Sequence, residues 1–288
     1  MVTPFAADGS VNYDAARRLA LALLDSGSDG LVVAGTTGEA PTLTRDEKLR
    51  LFSEVKSAVG DRGAVIAGTG TYNTAESVEL TREASNTGVD AVLAVTPYYN
   101  KPPQEGLYRH FRAIAEATSL PVIMYNIKSR TGVNMEAETM IRLSQIENIA
   151  GVKEASGDFE QIGRAISETR HGFRVWSGAD EDTLTILELG GYGVISVISH
   201  LVGRQLHSMI DGVVAGRLEE AHATHERLLP LIEAIFCVSN PIPVKYALGQ
   251  LGFPVGGWRL PLCEPDAVSA DRIMAEVRRH QIDLPVAV

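Results

Sequence analysis

The sequence predicts an α/β chain folded as a (β/α)8 TIM barrel with a C-terminal helical extension. Three observations predict it. Short apolar runs of strand length alternate with stretches of helical periodicity over residues 1–200. The runs contain little internal polarity, which is the pattern of parallel strands covered by helices. Eight such units follow one another with no change of composition to mark a linker, and that favours a barrel over an open doubly wound sheet. Residues 1–200 are therefore assigned to the barrel units, and 201–288 to the last barrel helix and the extension, in one structural unit.

Met1–Thr3 reads as the end of a strand, and the helical pattern Tyr13–Leu24 follows it. Gly30–Gly35 is the second apolar run. Arg45–Val59 is a helical stretch whose charged side carries Lys48 and Lys56. Ala64–Thr69 and Thr74–Ala84 repeat the unit, as do Ala91–Thr96 with Gly106–Ala117 and Pro121–Asn126 with Ala137–Leu143. Ile149–Ala155 is the sixth run, with Gln161–Thr169 after it. Arg174–Gly178 is the seventh, with Asp182–Leu189, and Gly193–Ile198 is the eighth. Beyond these, Leu206–Ala234, Pro243–Leu251 and Ala267–Arg279 supply more helix than one barrel unit needs and are assigned to packing beside the barrel. Gly68-Thr69-Gly70 lacks the rest of a dinucleotide-binding GxGxxG.

Composition narrows the functional classes. At 45% hydrophobic and 22% charged residues, the 288-residue chain can bury a sizeable core. A net charge of −10 argues against nucleic acid as a partner, while leaving room for small anions beside a local arginine. The two cysteines, Cys237 and Cys263, form no CxxC pair, so a reducing, cytoplasmic setting is expected. No apolar stretch reaches ~18 residues, so no membrane span is expected, and Met1–Phe5 does not read as a signal peptide. His222 and His225 are spaced to share a helix face, but no cysteine or carboxylate constellation joins them, so no metal site is expected.

Of the six lysines, only Lys153 falls inside a strand-like core run, Ile149-Ala150-Gly151-Val152-Lys153-Glu154-Ala155. A buried ammonium is costly, and losing the proton is its usual escape. A neutral lysine amine can condense with a ketone to form a Schiff base. On position alone a second reading stands beside this one, a barrel lysine satisfied by a carboxylate. Period-two alternation puts Gly151 and Ala155 on the face of Lys153, which would leave room for a substrate. Other polar groups fall at strand ends, where barrel enzymes place their chemistry. They are Gly35-Thr36-Thr37-Gly38-Glu39, Thr96-Pro97-Tyr98-Tyr99-Asn100, Tyr125-Asn126 with Ser129-Arg130-Thr131-Gly132 after it, Ser177-Gly178, and Ile195-Ser196.

These segments, in this order and over essentially the whole chain, resemble the dihydrodipicolinate synthase / N-acetylneuraminate lyase family of pyruvate-dependent class I aldolases. Gly151-Val152-Lys153-Glu154 and Gly193-Val194-Ile195-Ser196-Val197 add to the anchors already quoted. The synthase branch is the closer match, because of the adjacent Thr36-Thr37 and of Arg130 after Tyr125. The resemblance implies that Lys153 forms a covalent pyruvate imine and that Tyr125 is the general acid/base. It makes Thr36 and Tyr99 the proton relay, with Tyr99 reaching a neighbouring subunit. It implies that Thr37 binds the pyruvate carboxylate, that Ile195 lines the pyruvate pocket and that Gly178 lets backbone approach the substrate. Arg130 would hold the carboxylate of L-aspartate-4-semialdehyde, since a guanidinium fork matches a carboxylate. Pyruvate and L-aspartate-4-semialdehyde are thus the expected substrates, in diaminopimelate and lysine synthesis, with no cofactor, by a homotetramer built as a dimer of dimers. The alternatives are another pyruvate aldolase or 2-keto-acid sugar lyase of the family, or an inactive member.

Three departures bear on these expectations. Relatives carry residues ahead of the Val2-Thr3-Pro4-Phe5 segment, so part of the first strand is expected to precede Met1. Lys128 stands where most relatives have proline, which frees φ and is expected to loosen the Arg130 loop. Ala179 replaces a common aspartate at the rim. Around Tyr98 and Glu76 the expected partners of a lysine inhibitor are not matched, so weak feedback inhibition is expected.

Overall fold

The structure, a computed structural model, describes residues 1–285. In chain order its elements are α1 (Tyr13–Asp25), β1 (Gly30–Val33), a 3-10 turn (Ala40–Thr42), α2 (Arg45–Val59), β2 (Ala64–Gly68), α3 (Thr74–Ser85), β3 (Ala91–Val95) and α4 (Gln104–Ala115). There follow β4 (Val122–Asn126), α5 (Lys128–Thr131), α6 (Ala137–Ser144), β5 (Ile149–Glu154), α7 (Phe159–Glu168), β6 (Arg174–Ser177), α8 (Thr183–Glu188) and β7 (Gly193–Val194). The chain continues with α9 (Ser199–Val214), α10 (Leu218–Ile235), α11 (Ile242–Gln250) and α12 (Ala267–Val277). The strands hydrogen-bond in chain order from β1 to β7, and the registers from β2 to β7 are parallel, as apolar runs separated by helices require.

Two compact units share the chain. One is Met1–Val65 together with the chain from Val197 onward, and the other is Ile66–Ser196. In the first unit, Asn12 caps α1 by accepting from the Ala15 N–H (3.0 Å), and the helix buries Ala15, Ala16, Leu19, Ala20 and Leu23. Thr44 and Glu47 close a reciprocal capping box on α2. In the second unit, every residue of β4 is buried, which explains why its sequence shows no polar alternation. Asn73 and Asp158 cap α3 and α7 through their side chains. Among the described residues, no helix is long and apolar enough to cross a membrane.

The departures from expectation have local causes. Met1–Thr3 is not a strand. The Met1 ammonium donates to Val32 O (2.6 Å) and the Val2 N–H to His200 Nε2 (3.1 Å), so these donors are used outside any ladder. His200 can accept because burial pulls its pKa down to about 3, and its Nδ1–H donates to Val197 O (2.8 Å). The eighth run shortens to Gly193–Val194, since Ile198 already has helical dihedrals ahead of α9. The stretch Leu206–Ala234 is two helices, parted where Gly216 takes φ +74°. The short α5 is unpredicted and ends at Gly132 with φ +71°.

Candidate active site

Tyr125 and Lys153 are partners in the β4–β5 register, so period two turns both side chains to the same face. Lys153 Nζ lies 4.2 Å from the centroid of the Tyr125 ring. Tyr125 is buried and Lys153 half-buried. On the other side Lys153 pairs in register with Trp176, whose ring makes an edge contact with Tyr192 at 5.4 Å.

Lys153 lies on β5, as its apolar run predicts, but it is not the most deeply buried lysine. Lys245 on α11 is the fully buried one, and its Nζ contacts Glu39 Oε1 at 2.6 Å with both side chains at 0% exposure. It also lies 4.0 Å above the Phe5 ring. The reading of a lysine satisfied by a carboxylate thus applies to Lys245. The signal was present as a single lysine in an otherwise apolar helix, Ile242-Pro243-Val244-Lys245-Tyr246-Ala247-Leu248.

The expected space is narrowed on the Gly151 side of Lys153. A methyl group at Gly151 would run into the Arg174 carbonyl and come within 2.6 Å of Trp176 Cζ3, so that side is filled by indole. Gly178 has a sharper reason to be glycine than substrate approach. A Cβ there would lie 3.0 Å from Lys153 Cγ and 2.9 Å from Ala155 Cβ. Gly178→Ala is therefore expected to displace the Lys153 stem, with a loss on the order of tenfold to a hundredfold in kcat and retained secondary structure. Steady-state kinetics with circular dichroism checks this, and a variant with parental kcat would disprove the contact. Ile195 follows β7, and its N–H donates to Ser177 O (2.9 Å), so it is fixed beside Gly178 on the same strand ends.

Arg130 lies on the exposed α5, one turn beyond Tyr125. Lys128 is the first residue of that turn, and its carbonyl accepts the Gly132 N–H (2.9 Å). Tyr99 is 91% exposed with φ +72°, a strained setting for a tyrosine. Its neighbour Tyr98 instead packs edge-on against Tyr72 at 5.2 Å.

Thr36 and Thr37 belong to the other unit, on the turn after β1. Thr37 Oγ1 accepts from Asn240 Nδ2 (2.9 Å), which leaves its hydroxyl proton free to donate elsewhere. This contact joins residues 203 apart in sequence, which no local pattern could reveal.

Behind Tyr125 and Lys153, the next register pair is Asn126 and Glu154, both fully buried. Burial raises the Glu154 pKa from 4.5 to about 6 against the hydrogen bonds from Asn126 and Ser156. The folded chain then holds a proton that the unfolded chain has released between these values. This carboxyl therefore favours folding below pH 4.5, and its contribution is lost as pH rises to about 6.

Comparison with known proteins gives a consistent result. The family model described as the dihydrodipicolinate synthetase family matches residues 1–279. A curated 4-hydroxy-tetrahydrodipicolinate synthase of Dehalococcoides mccartyi (strain CBDB1) is 59% identical over 286 residues, 99% of this chain and 96% of that protein. One from Moorella thermoacetica is 55% identical over 278 residues, 96% of this chain and 95% of that protein. Among solved structures, DHDPS from Cyanidioschyzon merolae with lysine bound superposes with a TM-score of 0.95 at 47% identity, covering 96% of this chain and 95% of its own.

Proposed function

The chain belongs to the dihydrodipicolinate synthetase family, and we propose that it condenses pyruvate with L-aspartate-4-semialdehyde through an imine on Lys153. It is a lyase with the activity of the 4-hydroxy-tetrahydrodipicolinate synthases, a step of diaminopimelate and lysine synthesis. The observation that carries the mechanism is the Lys153 amine 4.2 Å from the Tyr125 ring centroid, on paired residues of adjacent strands. The scaffold is read as a (β/α)8 barrel. Parallel strands in chain order, alternating with helices, support that reading.

The Lys153 amine attacks the keto carbon of pyruvate, and loss of water gives the imine. Tyr125 moves the protons of this step and removes one from the methyl carbon, giving the enamine. The enamine carbon bonds to the aldehyde carbon, and the aldehyde oxygen takes a proton. The amino group of the semialdehyde then attacks the former keto carbon, closes the ring and expels the Lys153 amine. By family resemblance Thr36 and Tyr99 relay protons to and from Tyr125. The high exposure of Tyr99 suits a residue that serves a second copy, in a homotetramer arranged as a dimer of dimers. The same resemblance assigns the pyruvate carboxylate to Thr37 and the lining of the pyruvate pocket to Ile195 and Gly178. The imine formed on Lys153 is itself the electron sink, so the reading calls for no metal or organic cofactor, and the proposed setting is cytoplasmic.

Arg130 is assigned the semialdehyde carboxylate. Arg130→Ala is expected to lower kcat/KM for aspartate semialdehyde by on the order of a hundredfold, about 2–3 kcal/mol of charge-assisted hydrogen bonding. Pyruvate capture by Lys153 should be unchanged. A panel of aldehydes assayed with pyruvate tests this. Equal loss with aldehydes that lack a carboxylate would remove Arg130 from the role.

A further inference from the structure

The segment 127–135, which carries Arg130, is tied at its neck by one side chain. Asn126 stands at its entrance, at the end of β4. Asn126 Nδ2 donates to Asn134 Oδ1 (2.9 Å), and Asn126 Oδ1 accepts the Met135 N–H (2.9 Å), so both ends of the segment meet on one amide. Asn134 is anchored from two helices. Its Nδ2 donates to Gln161 Oε1 on α7 (2.7 Å), and its carbonyl accepts from Gln104 Nε2 on α4 (2.8 Å).

The remaining donor of the Asn126 amide goes to Glu154, whose Oε2 lies 3.0 Å away. Glu154 Oε1 accepts the Ser156 N–H at 2.7 Å. A carboxylate accepts only, so Glu154 obliges Asn126 to present its NH2, and this alone leaves Oδ1 facing the Met135 N–H. An amide turned the other way would set oxygen against carboxylate and NH2 against N–H. Both side chains are fully buried, where such mismatches are costly. A carboxylate placed directly behind Lys153 thus fixes the orientation of the group that closes the Arg130 segment.

We propose that Glu154 and Asn126 are positioning residues for the second substrate. Glu154 sets the Asn126 amide, and Asn126 holds the neck of segment 127–135 so that Arg130 meets the carboxylate of the aldehyde. The inference rests on the reading in which Arg130 binds aspartate semialdehyde. Neither residue touches the reacting atoms. Their strand neighbours Tyr125 and Lys153 do, from the opposite face, so the pair can be altered without removing a catalytic group.

The test compares the parent enzyme, Asn126→Ala, Glu154→Gln, Arg130→Ala and the double variant Asn126→Ala/Arg130→Ala. Each is assayed for the KM of aspartate semialdehyde and for the pyruvate concentration that half-saturates borohydride trapping. Asn126→Ala is expected to raise the KM for the semialdehyde by about tenfold while shifting pyruvate capture by less than about twofold. Glu154→Gln, which leaves one acceptor oxygen where Asn126 and the Ser156 N–H need two, should move the same constant in the same direction, and it carries the comparison if the alanine variant does not fold. In the Arg130→Ala background, Asn126→Ala should add less than about twofold, because the group it positions is gone. A packing role alone would not produce that silence. Unchanged constants, equal loss for both substrates, or an undiminished effect without Arg130 would each overturn the proposal. Failure of the underlying reading is separately visible, as absent trapping in the parent or an unmoved KM in Arg130→Ala.

Discussion

Treatment with pyruvate and borohydride is expected to leave one covalent adduct, on the peptide containing Lys153, and Lys153→Ala is expected to lose at least about a thousandfold in kcat. Lys153 is half-buried, with its amine over the Tyr125 ring, so a small ketone can reach it. Lys245 is the more deeply buried lysine, but its ammonium is paired with Glu39 at 2.6 Å and has no exposed surface. Lys153→Arg is the stricter variant. It keeps the length and positive charge but cannot give up its proton, so it should form no adduct and show the same loss as alanine. Peptide mass spectrometry reads the adduct. Mapping to any other lysine, or a Lys153→Ala variant with a tenth of parental activity, would end the imine mechanism for this chain.

The second large effect is on stability. Lys245→Met is expected to destabilise the fold by about 3–5 kcal/mol, because it leaves the Glu39 carboxylate buried without its cation. Among the described residues, the Arg259 N–H at 3.2 Å is what remains on the other carboxylate oxygen. That loss corresponds to a melting temperature lower by roughly 10 °C for a chain of this size. Lys245→Met/Glu39→Gln should recover most of it. Burial pulls the Lys245 ammonium down to about 8 against the pull of Glu39, so desolvation outweighs the attraction and the intact pair contributes little net stability. Denaturant or thermal unfolding separates the cases. A single variant within about 1 kcal/mol of the parent, or a double variant no better than the single, would contradict this assignment.

Much of the framework was legible because period and length are local properties. The helix Arg45–Val59 matches its predicted bounds, and the run Ile149–Ala155 ends one residue early as β5. The strand at Met1–Thr3 was misread because an extended apolar stretch does not reveal whether its N–H groups find a ladder. Lys153 and Tyr125 could be singled out, since each lies at the end of a recognisable run, and register then brings them together. Trp176 was missed because it lies in the neighbouring strand, where only register places it beside Lys153. Asn126 and Glu154 were quoted within motifs but not given work. Their pairing on the far face follows from the same register that pairs Tyr125 with Lys153, one position later. Lys245 was passed over because its partner lies 206 residues away.

That distance has a consequence for how the protein is made. Thr37 meets Asn240, Glu39 meets Lys245 and Glu47 meets Arg259, each across more than two hundred residues. A ribosome adding about 5–20 residues per second needs roughly ten to forty seconds to travel from the early members of these pairs to the late ones. Throughout that interval the buried carboxylate of Glu39 has no ammonium to meet, while Ile66–Ser196 emerges with its strand partners adjacent in sequence. The nascent chain therefore carries an unfinished amino-terminal piece past a segment able to order itself first. The loop bearing Thr36 and Thr37 gains its contacts with Asn240 and Lys245 only when the chain around α11 arrives.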